Sequence, residues 1–323
     1  MSEVAIGIDV GGTKALALVA TPTGDVVDEL RSSTPQDATG GAGVATAQVL
    51  AEQVSTLCAR HGLDASTVPI GIGMPGLIRR DGHLAEAANL RAASGASFPD
   101  LLHDLLGAQH VYMENDGNCA ALGEHAWGAA RGVDDFVMVT LGTGIGGGIV
   151  SNGVLMRGQN GFGGEIGHMV VQARGAQCGC GGFGCWERYA SGGGLARLTA
   201  EWANEGRLPE LSARSGGAQH VRGEDVTRAA SEGSLEALAL IDDVAWWLAR
   251  GLANLVAILD AGRFVIGGGL SVAADLLLPR ARVHLEELTF GYDKREAITL
   301  TPSGLTVHAG ALGAAKVAFD RVS

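Results

Sequence analysis

The sequence predicts a two-domain α/β fold, and three observations carry that prediction. The chain has 323 residues, more than one hydrophobic core usually organises. Short, apolar, β-branched runs alternate with stretches of helical spacing, the pattern of strands interleaved with helices. One local unit, a strand, a glycine turn and a second strand, also occurs twice. It runs through Val4–Val10, Gly11-Gly12-Thr13-Lys14 and Ala15–Ala20, and again through Phe136–Leu141, Gly142–Gly147 and Gly148–Ser151. The repetition suggests two related halves, although their sequences are too different to prove a duplication.

The elements follow in order. Asp25–Arg31 reads as a third strand after the turn at Pro22-Thr23-Gly24, which makes an antiparallel meander. Val44–Arg60 has helical spacing, with Gly62 as its stop signal. Pro69–Gly73 reads as a short buried strand leading to Met74-Pro75-Gly76. Val111–Met113 is another strand, and Asn118–Ala130 is a helix that Asp116 or Asn115 can cap. Helices are expected near Leu195–Asn204, Gly223–Ala230 and Leu235–Leu259. Arg263–Ile266 reads as a strand ending in Gly267-Gly268-Gly269, followed by a helix through Leu276–Leu288. A terminal helix covers Ala311–Phe319.

Composition excludes several classes. The chain is 46% hydrophobic and 18% charged, which suits a compact enzyme rather than a disordered chain. Glycine is the outlier at 51 residues, but it follows no triplet period, so collagen is excluded. The glycines cluster at the ends of apolar runs, which suggests backbone brought close to a ligand. A net charge of −12 with no long basic run argues against nucleic acid as a partner. The apolar helix Leu235–Leu259 contains Asp242, Asp243 and Arg250, so it reads as a buried amphipathic helix, not a membrane span. Met1-Ser2-Glu3 runs straight into a strand, so no signal peptide is expected and a cytoplasmic location is.

Two turns invite phosphate. In Asp9-Val-Gly-Gly-Thr-Lys14, Gly11 and Gly12 let backbone N–H groups approach phosphate oxygens. Thr13 adds a hydroxyl, Lys14 a positive charge, and Asp9 a carboxylate for Mg²⁺, directly or through water. The plain alternative is a hairpin turn with incidental polar residues. Gly142-Thr143-Gly144 opens a second such turn. Neither is a Walker loop, and neither is a dinucleotide fingerprint, because a strand follows each. Gly268 and Gly269 offer a third point of close approach, suited to the adenosine portion of ATP.

Phosphoryl transfer to a hydroxyl needs a carboxylate that accepts the proton and aligns the oxygen. Asp116, in Glu114-Asn115-Asp116-Gly117-Asn118, fits that role, with Asn115 beside it to hydrogen-bond a sugar. The alternative makes Asp116 a helix cap only. Asn89, Glu165, His168 and Glu187 are further polar groups in glycine-rich surroundings, and a sugar demands partners at several angles. Of five cysteines, Cys58 and Cys119 stand apart. His168, Cys178, Cys180 and Cys185 make up the composition of a closed, structural Zn²⁺ site. Buried reduced thiols are the alternative.

These residues together resemble the ROK family of bacterial sugar kinases, and within it the ATP-dependent glucokinases. The likeness runs over nearly the whole chain. It rests on Asp9-Val-Gly-Gly-Thr-Lys14, Glu114-Asn115-Asp116, Leu141-Gly-Thr-Gly-Ile-Gly-Gly-Gly148, Gly164-Glu165-Ile-Gly-His168 and Cys178-Gly-Cys-Gly-Gly-Phe-Gly-Cys185-Trp-Glu187. The resemblance implies an actin-like (ribonuclease H-like) two-domain kinase fold with the sugar in an interdomain cleft. It implies a small domain of residues 1–115 plus 308–323 and a large one of 116–307 carrying the zinc site. It implies Asp116 as catalytic base and Gly76, Asn89, Asn115, Glu165, His168 and Glu187 as sugar contacts. His168 would place one ring nitrogen on zinc and the other toward a sugar hydroxyl. A homodimer or homotetramer is implied as well. Family repressors carry an N-terminal winged helix, for which a phosphate loop starting at residue 9 leaves no room. Asn89-Leu90-Arg91 resembles the family's Asn-Leu-x-Trp stretch but lacks the Trp, which leaves the choice among glucose, fructose, mannose, allose and N-acetylmannosamine open. A sugar-sensing regulator without catalysis is the reading from another class.

Overall fold

A computed structural model describes residues 3–35, 41, 43–88 and 90–322, except for the side chains of residues 271 and 272. The chain opens with the predicted meander, β1 (Ala5–Val10), β2 (Lys14–Ala20) and β3 (Val26–Ser33), followed by α1 (Val44–His61). Then come β4 (Ile70–Met74), the short pair β5 (Leu77–Ile78) and β6 (Leu84–Glu86), α2 (Phe98–Leu106), β7 (Val111–Asn115) and α3 (Asp116–Trp127). The second hairpin is β8 (Phe136–Leu141) and β9 (Ile145–Ser151), extended by β10 (Val154–Leu155). Helices α4 (Glu187–Ala190), α5 (Gly192–Asn204), α6 (Pro209–Arg214), α7 (Gly223–Ser231) and α8 (Leu235–Leu259) follow. The chain continues through β11 (Arg263–Gly267), α9 (Ala274–Leu288), β12 (Thr299–Pro302) and α10 (Ala309–Val322).

Two five-stranded sheets organise these elements, in the orders β3-β2-β1-β4-β7 and β10-β9-β8-β11-β12. Both are built alike: the first strand of a hairpin is central, its two successors lie on one side, and two later strands lie on the other. In the first sheet β1–β2 and β2–β3 are antiparallel, while β1–β4 and β4–β7 are parallel. Strand alternation explains why β1 is apolar at almost every position. Ile6, Ile8 and Val10 belong to the cluster that includes Leu50, Val54 and Leu57 of α1. Ala5 joins Leu16, Leu18 and Ala20 under Ala311, Leu312, Ala315 and Ala318 of α10. A strand covered on both faces has no solvent side to carry polar residues.

The chain divides into two compact units. One comprises residues up to Met138, Gly147–Gly164 and the segment from Ser303 onward; the other comprises Val139–Gly146 and Glu165–Pro302. The sequence-based division starts the second domain at residue 116, whereas these units keep α3 with the N-terminal segment. The reason is how tightly α3 and α10 cross. A Cβ on Gly313 would overlap the carbonyl of Cys119, and one on Gly123 would lie 2.5 Å from the carbonyl of Ala309. Only glycine lets two helix backbones approach that far. Among the described residues, no helix is long and apolar enough to cross a membrane.

Candidate active site

In the first unit, strand register gathers the predicted residues. Asp9 pairs with Gly73, Gly73 with Glu114, and Met74 with Asn115. The carboxyl ends of three parallel strands therefore stand side by side, which is where α/β sheets bind ligands. The loops that leave them carry Gly11 to Lys14, Gly76, and Asn115-Asp116. The first loop is closed by Gly11 N–H donating to Lys14 O at 2.8 Å. Thr34 pins it from behind: its N–H donates to Thr13 O at 2.9 Å and its hydroxyl to Gly11 O at 2.9 Å. Thr34 is buried, while the Thr13 and Lys14 side chains face solvent. Sequence reasoning did not single out Thr34.

Asp9 is held against the first turn of α10, where a Cβ on Gly310 would come within 2.6 Å of its Cγ. Burial pushes the Asp9 carboxyl up to about 7 from an ordinary 3.8, and the Asp116 carboxylate adds to the rise. A carboxyl raised in this way supports folding only while protonated. That contribution is complete below the unfolded value of 3.8 and is lost as pH climbs through about 7. Asp9→Asn is therefore expected to raise the melting temperature of the ligand-free protein at about pH 8, with the gap narrowing toward about pH 5. Equal melting temperatures at the higher pH would refute burial as the cause.

The corner between β7 and α3 settles the capping question. Asn115 caps: its Oδ1 accepts from Asn118 N–H at 3.1 Å, and its Nδ2 donates to Gly76 O at 3.2 Å. Asp116 is the first helical residue, and its Oδ1 accepts from Gly117 N–H at 2.9 Å. Its carboxylate is thus released from the cap. Burial raises its pKa, opposed by backbone N–H hydrogen bonds, and a rise toward operating pH favours a general base. Gly76 has φ 118°, a conformation that tolerates little but glycine. Asn89 lies outside the described residues.

In the second unit, the turn at Gly142-Thr143-Gly144 docks on the start of α5. Gly192 N–H donates to Gly142 O at 2.8 Å, Gly193 N–H to Thr143 O at 3.1 Å, and Ser191 Oγ to Thr143 O at 2.9 Å. The first amides of α5 are thereby taken up by the loop. Gly142 and Gly269 have open space where a Cβ would stand, whereas a Cβ on Gly268 would come within 2.6 Å of the Leu141 backbone. Glycine at 268 is thus required by the close approach to β8. In the first unit, a Cβ on Gly148 would lie 2.6 Å from Cβ of Ala121 on α3, and one on Gly117 would lie 2.5 Å from the Gly147 backbone.

The second unit also brings His168, Cys178, Cys180 and Cys185 together, with all four ligand atoms within 4.8 Å of one another. Cys180 Sγ lies 3.7 Å from Cys185 Sγ, and Cys178 Sγ lies 3.7 Å from His168 Nδ1. A tetrahedral Zn²⁺ with bonds of about 2.3 Å to sulfur separates its ligands by about 3.8 Å. The donor set therefore fits that ion, and the sulfur separation is far too long for a disulfide. Bridges between Val170 and Cys185 and between Gln177 and Phe183 shape the loop. Trp186, fully buried, anchors it by donating Nε1–H to Trp247 O of α8 at 2.8 Å. Two predicted sugar contacts adjoin the cluster. Glu187 Oε1 accepts from Cys178 Sγ at 2.9 Å, and Glu165 Oε2 is 3.9 Å from His168 Nε2. One nitrogen of His168 faces the thiols and the other faces Glu165. Glu187 also crowds Gly144, where a Cβ would overlap its carboxylate, so the glycine turn and the acidic group are in contact.

A model of the family described as the ROK family matches residues 5–321. The chain belongs to the ROK family. It is 36% identical over 286 residues to a glucokinase of Halalkalibacterium halodurans, covering 87% of this chain and 84% of that one. It is 34% identical over 301 residues to an N-acetyl-D-glucosamine kinase of Escherichia coli, covering 86% and 91%. Among solved structures, a ROK family glucokinase from Streptomyces griseus in complex with glucose and AMPPNP superposes with a TM-score of 0.86 at 32% identity. That match covers 98% of this chain and 99% of the other. With family membership comes the actin-like, ribonuclease H-like fold of two α/β domains.

Proposed function

We propose that this protein is an ATP-dependent hexokinase that transfers the γ-phosphoryl group to the 6-hydroxyl of glucose. The observation that carries the reading is the β7–α3 corner, where Asn115 does the capping and leaves the Asp116 carboxylate available. Asp116 accepts the proton of the attacking hydroxyl and points its oxygen at the phosphorus. In the first unit, Asn115, Gly76 and Asn89 are the proposed sugar contacts, and Gly11, Gly12, Thr13 and Lys14 offer N–H, hydroxyl and ammonium donors to phosphate. In the second, Glu165, His168 and Glu187 are proposed to bind further hydroxyls, and Gly142, Thr143, Gly144, Gly268 and Gly269 to meet the nucleotide. Asp9 would hold Mg²⁺, which neutralises charge on the transferring phosphates when bound. His168, Cys178, Cys180 and Cys185 would hold a structural Zn²⁺ whose closed ligand set keeps it out of the chemistry. A cytoplasmic enzyme, active as a homodimer or homotetramer, completes the reading on the family resemblance.

A second reading has its own support. The resemblance to an N-acetyl-D-glucosamine kinase at 34% identity favours an N-acetylated sugar, which differs from glucose only in the acetamido group that replaces the 2-hydroxyl. A coupled assay of ADP release over glucose, fructose, mannose, allose, N-acetylglucosamine and N-acetylmannosamine decides between the two. Glucose is expected to give the highest kcat/KM. A higher value for an N-acetyl sugar would replace the substrate. No ADP release with any sugar would favour the non-catalytic sugar sensor.

A further inference from the structure

We infer that Glu114 and Arg157 form a positioning pair that aims Asp116, an inference resting on the reading of Asp116 as the base. Glu114 is the residue before Asn115 on β7, and it is only 6% exposed. A carboxylate buried to that degree persists only with donors around it. Glu114 has three. Its Oε1 accepts from Asn115 N–H at 3.0 Å and from Asn118 Nδ2 at 3.0 Å. Its Oε2 accepts from Arg157 Nε at 2.5 Å.

Two of those donors flank Asp116 in the chain. One carboxylate thus grips the corner before and after the base, in addition to the Asn115 cap. The third donor ties the corner to a distant segment. Arg157 lies in Gly147–Gly164, which belongs to the first unit. Its carbonyl accepts from Gly163 N–H at 2.9 Å, and Arg80 donates to the carbonyl of the next residue, Gly158. That clamped segment runs directly into Glu165. A base off its line of attack by about an ångström can cost on the order of 10²-fold in rate, so a fastener at this point acts on turnover.

The test compares E114Q, R157M and R157K in the wild-type background, and E114Q again in D116N, by steady-state kinetics, glucose titration and thermal melting. E114Q and R157M are expected to lower kcat roughly 10²-fold while the glucose dissociation constant barely moves. R157K should recover most of the rate, because it restores the charge. In the D116N background, E114Q should cost little more, because there is no base left to aim. Arg157 is 35% exposed, so its variants carry the test if E114Q does not fold. Wild-type turnover in E114Q or R157M, with only a lowered melting temperature, overturns the inference and leaves the kinase reading standing. An equal loss from E114Q with and without Asp116 does the same. A wild-type protein that releases no ADP defeats the kinase reading itself.

Discussion

Asp116→Asn is expected to lose about 10²–10⁴-fold in kcat, the range that a positioned general base supplies, with glucose affinity close to wild type. The substitution keeps the size of the side chain. It leaves the helix cap untouched, because Asn115 and not Asp116 accepts from Asn118 N–H. It also leaves an oxygen for Gly117 N–H, the partner of Asp116 Oδ1. The loss is therefore one of proton acceptance rather than of architecture. Steady-state kinetics paired with calorimetric glucose titration measures it. A kcat near wild type would remove Asp116 from the mechanism, and a parallel collapse of glucose binding would make it a binding residue.

Cys180→Ser is expected to abolish metal retention and to raise the glucose KM sharply, with the Gly11 phosphate turn left intact. The purified wild type should hold one zinc per chain. Free energies on the order of 10 kcal/mol or more bind zinc to such thiolate sets, enough to decide whether a glycine-rich loop is ordered. The loop from Gly164 to Glu187 carries Glu165, His168 and Glu187, and Glu187 approaches within 2.9 Å of a ligand sulfur. A slack loop would therefore release the predicted sugar contacts together. The Gly11 turn is closed by Lys14 and pinned by Thr34, and neither belongs to that loop. His168→Ala should be worse, because it removes a ligand and a sugar contact at once. Metal analysis with separate nucleotide and sugar titrations checks both variants. Normal glucose binding by metal-free Cys180→Ser would mean that the metal does not shape the sugar site. A zinc-free wild type prepared without chelator would overturn the cluster reading.

Local patterns made most of the fold legible. The apolar runs of β1 and β2, the first glycine turn and the Gly62 stop all act within a few residues and appear where the sequence places them, whereas the second turn is shorter than expected, because β9 begins at Ile145 rather than Gly148. The 25-residue α8 runs over the stretch its spacing predicts. Other elements escaped. β12 is an edge strand of four residues ending in Pro302, and proline argues against a strand. α2 is short, and its start signals, the Ser97 cap and the proline in its first turn, precede only nine helical residues. α3 starts two residues before its predicted start, because the cap fell to Asn115.

The site divides in the same way. The cysteine spacing reveals the Cys₃His cluster, because its residues lie close together in the chain. Thr34 and Arg157 were missed because their partners are 23 and 43 residues away, and no short motif encodes such a distance. Gly148 makes room for Ala121 of α3, a neighbour 27 residues away in the chain that no local pattern reveals.

The docking of α10 bears on how the chain acquires its structure during synthesis. The helix lies on β1 and β4, where Cβ atoms on Gly7 and Gly71 would overlap the carbonyls of Ala311 and Ala314. It shares a buried cluster with Ala5, Leu16, Leu18 and Ala20. At roughly 5–20 residues per second, a ribosome makes the first strand tens of seconds before the helix that covers it. Until then one apolar face of the leading sheet has no lid, while the intervening unit, continuous from Glu165 to Pro302 apart from a short hairpin segment, is free to fold first. In the nascent chain that apolar face therefore stays uncovered until α10 has been made and can dock on it.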